Sequence, residues 1–519
     1  MESGQSTDVK AVSGNESELS QFDRVRHIMG AIGGPLCAIA VYLLPISSLE
    51  PAQHMLLAIM TLVCLWWITE PIPIPVTSIL GPVLCVVTGV VSVSDAFKSF
   101  ASPVIFLFMG GFILASAMVK YGLDRRFAYR ILSLKFVSSS PTRIFLALGV
   151  VAMLCSGWIS NTATAAMMLP IALGLLDALF EMETDKGEKT DVDHSKFATG
   201  LMLMTAYSCS IGGVLTPIGT PPNLIMIGFL SSMEGINVSF FEWMSWGFIA
   251  MIAYFVIAAI VLHVQYPPEM EKIEGADRLI EKKRSELPPM ERGAKVALFA
   301  FVVAVILWVL PGILSIAFGS DSQIAKTYNS LLPESVVALI AALLLFLIPV
   351  DLKNHRGALT WDDAVHGIDW GTLILFGGGL SMGTTLYSTG LSSWIGDGVL
   401  SLLGGNPSEP VFIAVFCVMS LCMSELTSHT AATNMIGPLA ITAAVSAGMS
   451  PIPVSVGVAL SASLGFMLPV STPPNAIVYA TGHVPITKMI KSGFIIDCVG
   501  IACVTIPLCV LFVTLVVGG

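Results

Sequence analysis

Gly219-Thr220-Pro221-Pro222-Asn223 and Ser471-Thr472-Pro473-Pro474-Asn475 each interrupt a long apolar block, 197–230 and 453–482. Two adjacent prolines remove two backbone donors and crowd the preceding turn, so neither block runs as one unbroken α-helix. Both blocks are long enough to cross a bilayer, so both interruptions fall at membrane depth. Irregular backbone survives there only where protein buries it or where it lines a wet cavity.

The surroundings fit this setting. Of 519 residues, 55% are hydrophobic and 12% are charged, about half the charged share of a soluble domain. The other apolar blocks are 28–48, 54–69, 76–94, 103–121, 142–180, 243–265, 294–317, 331–350, 370–400, 409–449 and 488–517. Blocks 142–180 and 409–449 are too long for one crossing, and each has a polar centre, Ser160-Asn161-Thr162 and Ser428-His429-Thr430. They are predicted to be re-entrant hairpins. The expected fold is therefore an all-α polytopic membrane protein with about 11 transmembrane helices and two re-entrant hairpins.

Lys and Arg set the orientation. With the N-terminus in the cytosol and alternating spans, the linkers 120–143, 181–196, 266–295, 351–369 and 483–491 share the cytosolic side with the N-terminal tail. Together they hold all of the 25 basic residues except Lys98 and Lys326. The polar tail 1–24 is expected to be disordered and lacks the apolar stretch of a cleaved signal. The linker 266–293 is expected to form an amphipathic surface helix. The net charge of −10 comes with no basic stripe of the kind that binds nucleic acid, and the ten cysteines have no metal-ligand spacing. The expected partner surface is the lipid of an inner or plasma membrane.

The chain also repeats itself. At an offset of 268, Asp95-Ala96 returns as Asp363-Ala364, Gly110-Gly111 as Gly378-Gly379, and Gly122-Leu123 as Gly390-Leu391. Ser160, Thr162, Ala163, Met167 and Pro170 return as Ser428, Thr430, Ala431, Met435 and Pro438. The offset then slips to 252, and Pro217 and 220–223 return as Pro469 and 472–475. The slip equals the length of the hydrophilic insertion 181–196. An odd number of spans between equivalent points places the halves, 25–265 and 294–519, upside down to each other. Inverted repeats with helices broken at corresponding positions indicate a transport site at mid-membrane.

Each break frees carbonyls at one helix end and N–H groups at the next helix start. The N–H groups and the positive dipole end attract an anion, whereas carbonyls and hydroxyls suit a hard cation such as sodium. None of the four breaks holds a Lys or Arg, so an anion bound there must be balanced by helix ends and co-bound cations. That is a physical reason to couple its movement to sodium.

These residues resemble the divalent-anion/sodium symporters, whose members include dicarboxylate, citrate and sulfate carriers. The resemblance runs from about residue 30 to the end, and its specific part is Ser160-Asn161-Thr162 with 219–223, and 428–430 with 471–475. It implies a scaffold domain, a mobile transport domain, a homodimer and elevator movement. It further implies a first sodium site from Ser156, Ser160, Asn161 and the Gly219 carbonyl. A second would use Ser424, Ser428, His429 and the Ser471 carbonyl. Substrate carboxylates would meet Asn161, Thr162, Thr220, His429, Thr430 and Thr472. The family's second hairpin usually reads Ser-Asn-Thr, whereas this chain has His429 at the middle position. Neutral imidazole is a poor sodium ligand, and imidazolium repels sodium while attracting a carboxylate. The second cation site is thereby put in question; alternatively, His429 only hydrogen-bonds substrate or a neighbour.

Three other features stand out. Glu425, one turn before His429, either pairs with it or braces the hairpin. Asp497 is expected to be a packing or dimer-contact residue, and Trp66-Trp67 to lie in an interfacial aromatic belt. The implied activity is sodium-coupled uptake of a four-carbon dicarboxylate such as succinate, malate or fumarate. Exchange of di- or tricarboxylates, or sulfate carriage, would use the same fold. An intramembrane enzyme would need a constellation of catalytic acids and bases that the motifs do not supply, so no enzyme is expected.

Overall fold

The computed structural model describes residues 21–138, 140–185, 195–269, 276–319, 322–405 and 407–512. Most of the N-terminal tail, the centre of the insertion 181–196 and part of the linker 266–293 lie outside these residues. The first helix, Gln21–Leu43, includes the last four residues read as tail, and the linker contains the helix Ala276–Ser285. The described residues are helical apart from loops and one isolated bridge between Asp351 and Arg356.

Among the described residues, seven helices are long and apolar enough to cross a membrane, or eight if the bent pair Gln323–Leu331 and Glu334–Leu347 is one span. The sequence suggested about 11. Shorter apolar helices are Ile74–Val87, Pro141–Ser156 and Pro451–Ala462, the last two belonging to blocks that the sequence already read as interrupted.

Burial separates the outside from the centre. On Gln21–Leu43, Ile28, Met29, Ile32, Leu36, Ile39 and Leu43 are exposed, an apolar surface suited to lipid. On Lys196–Gly213, every residue from Phe197 to Gly213 is buried. The broken helices thus lie inside the protein, as their free backbone groups require.

Corresponding positions take corresponding structures. Ser92 and Thr360 cap short helices by accepting from the Asp95 and Asp363 amides. Gly122 and Gly390 have φ of +59° and +77° and precede the helices Leu123–Leu132 and Leu391–Leu402. An L-residue with a Cβ is disfavoured in that left-handed region. Two hairpins follow, Pro141–Ser156 with Asn161–Asp185 and Glu409–Leu426 with His429–Ser446. Next come the broken helices Lys196–Gly213 with Pro221–Glu234, and Pro451–Ala462 with Pro473–Tyr479.

The tryptophans depart from expectation. Trp67 is 2% exposed and its indole donates to Ser78 Oγ, while that of Trp66 donates to the Gly30 carbonyl. Acceptors on neighbouring helices take both indole N–H groups, with Trp67 buried and Trp66 half-buried. Glu70 ends Pro51–Thr69 in a left-handed conformation and lies 3.8 Å from Arg26.

Close packing positions the first hairpin. A Cβ on Gly212 would sit 2.1 Å from the Met153 carbonyl oxygen, whereas one on Gly33 meets nothing within 4 Å. Gly212→Ala should therefore cost about 1–3 kcal/mol, the usual range for overpacking, and lower the thermal midpoint in detergent. Gly33→Ala should leave that midpoint unchanged; equal midpoints for the two variants would contradict this packing.

Candidate functional site

Each hairpin tip meets the break of the broken helix that follows it. In the first half, a Cβ on Gly213 would lie 2.6 Å from Asn161 Oδ1 and 3.1 Å from Thr220 Cβ. One on Gly219 would lie 2.5 Å from the Gly213 carbonyl and 3.1 Å from that of Gly157. In the second half, a Cβ on Gly465 would lie 3.0 Å from His429 Nε2 and 3.3 Å from Ser424 Oγ. The halves also interlock: Pro473–Tyr479 packs on Asn161–Asp185, and Pro221–Glu234 packs on His429–Ser446.

The last residue of each Thr-Pro-Pro-Asn stretch holds its break together. Asn223 Nδ2 donates to the carbonyls of Gly213 (3.0 Å) and Thr216 (2.8 Å). Asn475 Nδ2 donates to those of Gly465 (3.0 Å) and Leu468 (3.1 Å). The acceptors lie ten and seven residues back in both cases. Each carboxamide therefore occupies carbonyls that the missing helix turn would otherwise have satisfied. The Oδ1 atoms of Asn223 and Asn475 are buried and accept no hydrogen bond. The sequence reading had given these residues no role, although their return at the same offset was visible.

A second tie joins each hairpin's first arm to its break, with different chemistry in the two halves. Thr216 Oγ1 donates to the Gly157 carbonyl at 2.5 Å. At the position equivalent to Gly157, the Glu425 carboxylate accepts from the amides of Met467 (2.9 Å) and Leu468 (3.2 Å). Glu425 braces the hairpin, the second of its two sequence readings.

The other expected residues divide by exposure and partner. Ser160 and Ser428 accept from the Ala163 and Ala431 amides, each at 3.2 Å, and so cap the second arms. Ser156 Oγ donates to Asn161 Oδ1 at 2.6 Å. Its counterpart Ser424 donates instead to the Ala462 carbonyl at 2.5 Å, and Ser471 Oγ donates to the Gly465 and Leu468 carbonyls. Asn161, Thr220, His429 and Thr472 are buried, Thr430 is half-buried and Thr162 is exposed. Pro221-Pro222 and Pro473-Pro474 occupy the first helical positions after each break, so those ends offer no N–H there.

The donor sets differ in kind. Around Asn161 the first pocket presents oxygens from Ser156, Asn161, Gly157 and Gly213, a suitable set for a hard cation. The second presents the His429 ring, whose Nε2 is buried without a partner. A cavity of about 860 Å³ adjoins the first break at Pro217, Leu224 and Ile227. It reaches Pro103 and Leu107 on one side and Pro311 and Glu334 on the other, and none of the expected site residues lines it.

Buried, interlocked polar breaks inside a lipid-facing helical shell define the class as a polytopic membrane transport protein. A profile of the sodium:sulfate symporter transmembrane region matches residues 35–517, and the chain belongs to that family of transporters, not enzymes. It is 35% identical over 495 residues to the sodium-dependent dicarboxylate transporter SdcS of Staphylococcus saprophyticus, covering 95% of this chain and 92% of that one. It is 33% identical over 499 residues to the protein of that name from Staphylococcus aureus strain USA300, with the same coverage. Among solved structures it resembles the Alcanivorax borkumensis YdaH transporter, described as having an unusual topology. The TM-score is 0.54 at 12% identity, over 83% of this chain and 88% of that one.

Removing either carboxamide should open its break. Asn475→Ala removes one donor from the Gly465 and Leu468 carbonyls, leaving them to Ser471, at about 1–3 kcal/mol in all, and should lower the thermal midpoint and solute uptake together. Asn475→Asp should not restore either, because a carboxylate cannot donate. Wild-type behaviour of the Asp variant would refute the tether.

Proposed function

We propose that this protein takes up C4-dicarboxylates such as succinate, malate and fumarate together with sodium, using one site at the meeting of the two hairpin tips and two broken helices. The observation that carries this reading is the cluster of oxygens around Asn161 (Ser156, Gly157, Gly213 and the carboxamide oxygen), joined to a hairpin-arm helix start with exposed Thr162 beside it. The carbonyls and hydroxyls serve the cation, and the helix starts serve the carboxylates. The dicarboxylate specificity of the SdcS relatives supports the substrate class.

Sodium is held by Ser156, Ser160, Asn161 and the Gly219 carbonyl. The substrate is held by Asn161, Thr162, Thr220, His429, Thr430 and Thr472. The second cation position (Ser424, Ser428, His429 and Ser471) is weakened, because it presents a ring nitrogen where the first presents an amide oxygen. Sodium neutralises part of a dianion that no Lys or Arg balances, so each ligand strengthens binding of the other, and by the same factor.

The halves act as inverted repeats. The paired capping aspartates, left-handed glycines and asparagine tethers support this, as does the repeated order of hairpin and broken helix. Movement is of the elevator type, with the hairpins and broken helices travelling against the remaining helices. The position of the open cleft beside Pro217 suits a seam between moving bodies. The carrier works as a homodimer in the cell membrane with its N-terminus in the cytosol, which the distribution of basic residues supports.

Reconstituted liposomes test the reading. An inward sodium gradient alone should drive labelled succinate uptake, and Asn161→Ala should abolish it. Uptake that requires internal dicarboxylate would indicate exchange, and absence of succinate uptake with sulfate uptake retained would overturn the substrate. His429→Asn should keep or steepen the sodium dependence; loss of all sodium response in that variant would refute the role given to the second position.

A further inference from the structure

The helix Leu123–Leu132 leads from the span Pro103–Lys120 toward the first hairpin and turns a basic face outward. Arg125 and Arg130 are exposed and Arg126 is half-buried. The helix has one acid, Asp124, which is 4% exposed and accepts from the Arg125 amide, so no carboxylate stands on the outward face. Among the described residues, no ion pair involves these three arginines. Two further segments extend the patch. Arg143, at the start of the hairpin, lies over the Phe136 ring at 4.1 Å and donates to the Phe136 carbonyl at 3.3 Å. The linker helix Ala276–Ser285 packs against Leu123–Leu132 and brings exposed Lys282 and Arg284. Arg126 donates to the Pro288 and Pro289 carbonyls, and Arg284 to Ser133 Oγ at 3.3 Å, which fixes the linker to the helix. Large apolar side chains stand exposed among these charges: Phe127, Leu134 and Phe136.

The second half supplies a comparison. At the offset of 268, Arg125, Arg126 and Arg130 correspond to Ser393, Trp394 and Gly398 on the helix Leu391–Leu402, whose one charged residue is the exposed Asp397. The equivalent element therefore carries no cation, so the fold itself does not require the arginines. Exposed cations beside exposed aromatic and aliphatic side chains make a surface that settles at a headgroup boundary, with apolar groups at the acyl edge. Guanidinium groups meet phosphate there as paired donors. A nucleic acid or an acidic protein would leave Phe127, Leu134 and Phe136 in water. We propose that the platform formed by Leu123–Leu132, Arg143 and the linker helix is a binding site for anionic phospholipid, the arginines holding the phosphodiester and Phe127 and Phe136 entering the acyl boundary. The platform packs on Pro141–Ser156, so the lipid steadies the base of the hairpin whose tip carries Ser160 and Asn161. Only the leaflet that supplies the lipid rests on the cytosolic placement proposed above; the chemistry of the patch does not.

The full-length protein in a neutral detergent tests this. Its thermal midpoint should rise on titration with dioleoylphosphatidylglycerol and far less with dioleoylphosphatidylcholine. The double variant Arg125→Gln/Arg130→Gln should bind phosphatidylglycerol about fivefold more weakly for each arginine removed, the usual share of one basic residue at an anionic surface. Lys98→Gln, which removes an exposed cation paired with Asp95 outside the platform, should leave that affinity unchanged. Glycerol 3-phosphate, which lacks the acyl chains, should give no shift. An equal response to the two lipids, an unchanged affinity in the double variant, or a full response to glycerol 3-phosphate would each overturn the proposal. If the double variant fails to fold, wild type decides: molar salt should weaken phosphatidylglycerol binding, and salt-insensitive binding would also overturn it. Tryptic cleavage of the linker from outside sealed, right-side-out vesicles would refute the cytosolic placement alone and leave the micelle result standing.

Discussion

Backbone polarity in a medium without water is the constraint on which this structure depends. A helix that stops inside the membrane strands carbonyls on one side of the stop and amides on the other, and each must find a partner. Here the stops are closed from within by Asn223 and Asn475, each reaching carbonyls ten and seven residues back. The adjoining prolines reduce the opposite debt by having no N–H. The remaining donors and acceptors are concentrated at the hairpin tips, where an ion and an anion have most to gain from them.

The halves satisfy this constraint with different residues, and the differences are informative. In the first half, Thr216 ties the hairpin to the break through a neutral hydroxyl, and Ser156 supports Asn161. In the second half, a carboxylate makes the tie, Ser424 turns to a carbonyl, and an imidazole stands where the amide would be. The first half is thus built of oxygens with little charge, and the second carries buried acids and a ring nitrogen.

Much of this architecture was legible from the residues. Proline pairs in apolar blocks specified the breaks because the missing donors are a property of proline itself, and Ser160 and Ser428 marked the starts of hairpin arms. What pattern could not give was the use of side chains over long separations. Asn223 is recognisable as a repeated residue, but its bonding to Gly213 depends on how the loop folds back. Trp66 and Trp67 read as interfacial because tryptophan prefers that zone, yet Gly30 and Ser78 offered acceptors inside. Asp497 was left between packing and a dimer contact because hydropathy alone does not tell which face of a last helix meets the core; it is buried. The number of spans was blurred for a related reason: hydropathy reports apolar length, and short helices joined by tight turns sum to the same length as one crossing.

The phenol of Tyr207 has a mechanical consequence. It belongs to the first broken helix, yet it donates to the Phe466 carbonyl in the second break at 2.9 Å and to the Met489 carbonyl in the helix behind it at 3.3 Å. One side chain thereby rivets three segments drawn from both halves of the sequence. The second break and the helix behind it are held to the first broken helix, and none of the three flexes alone.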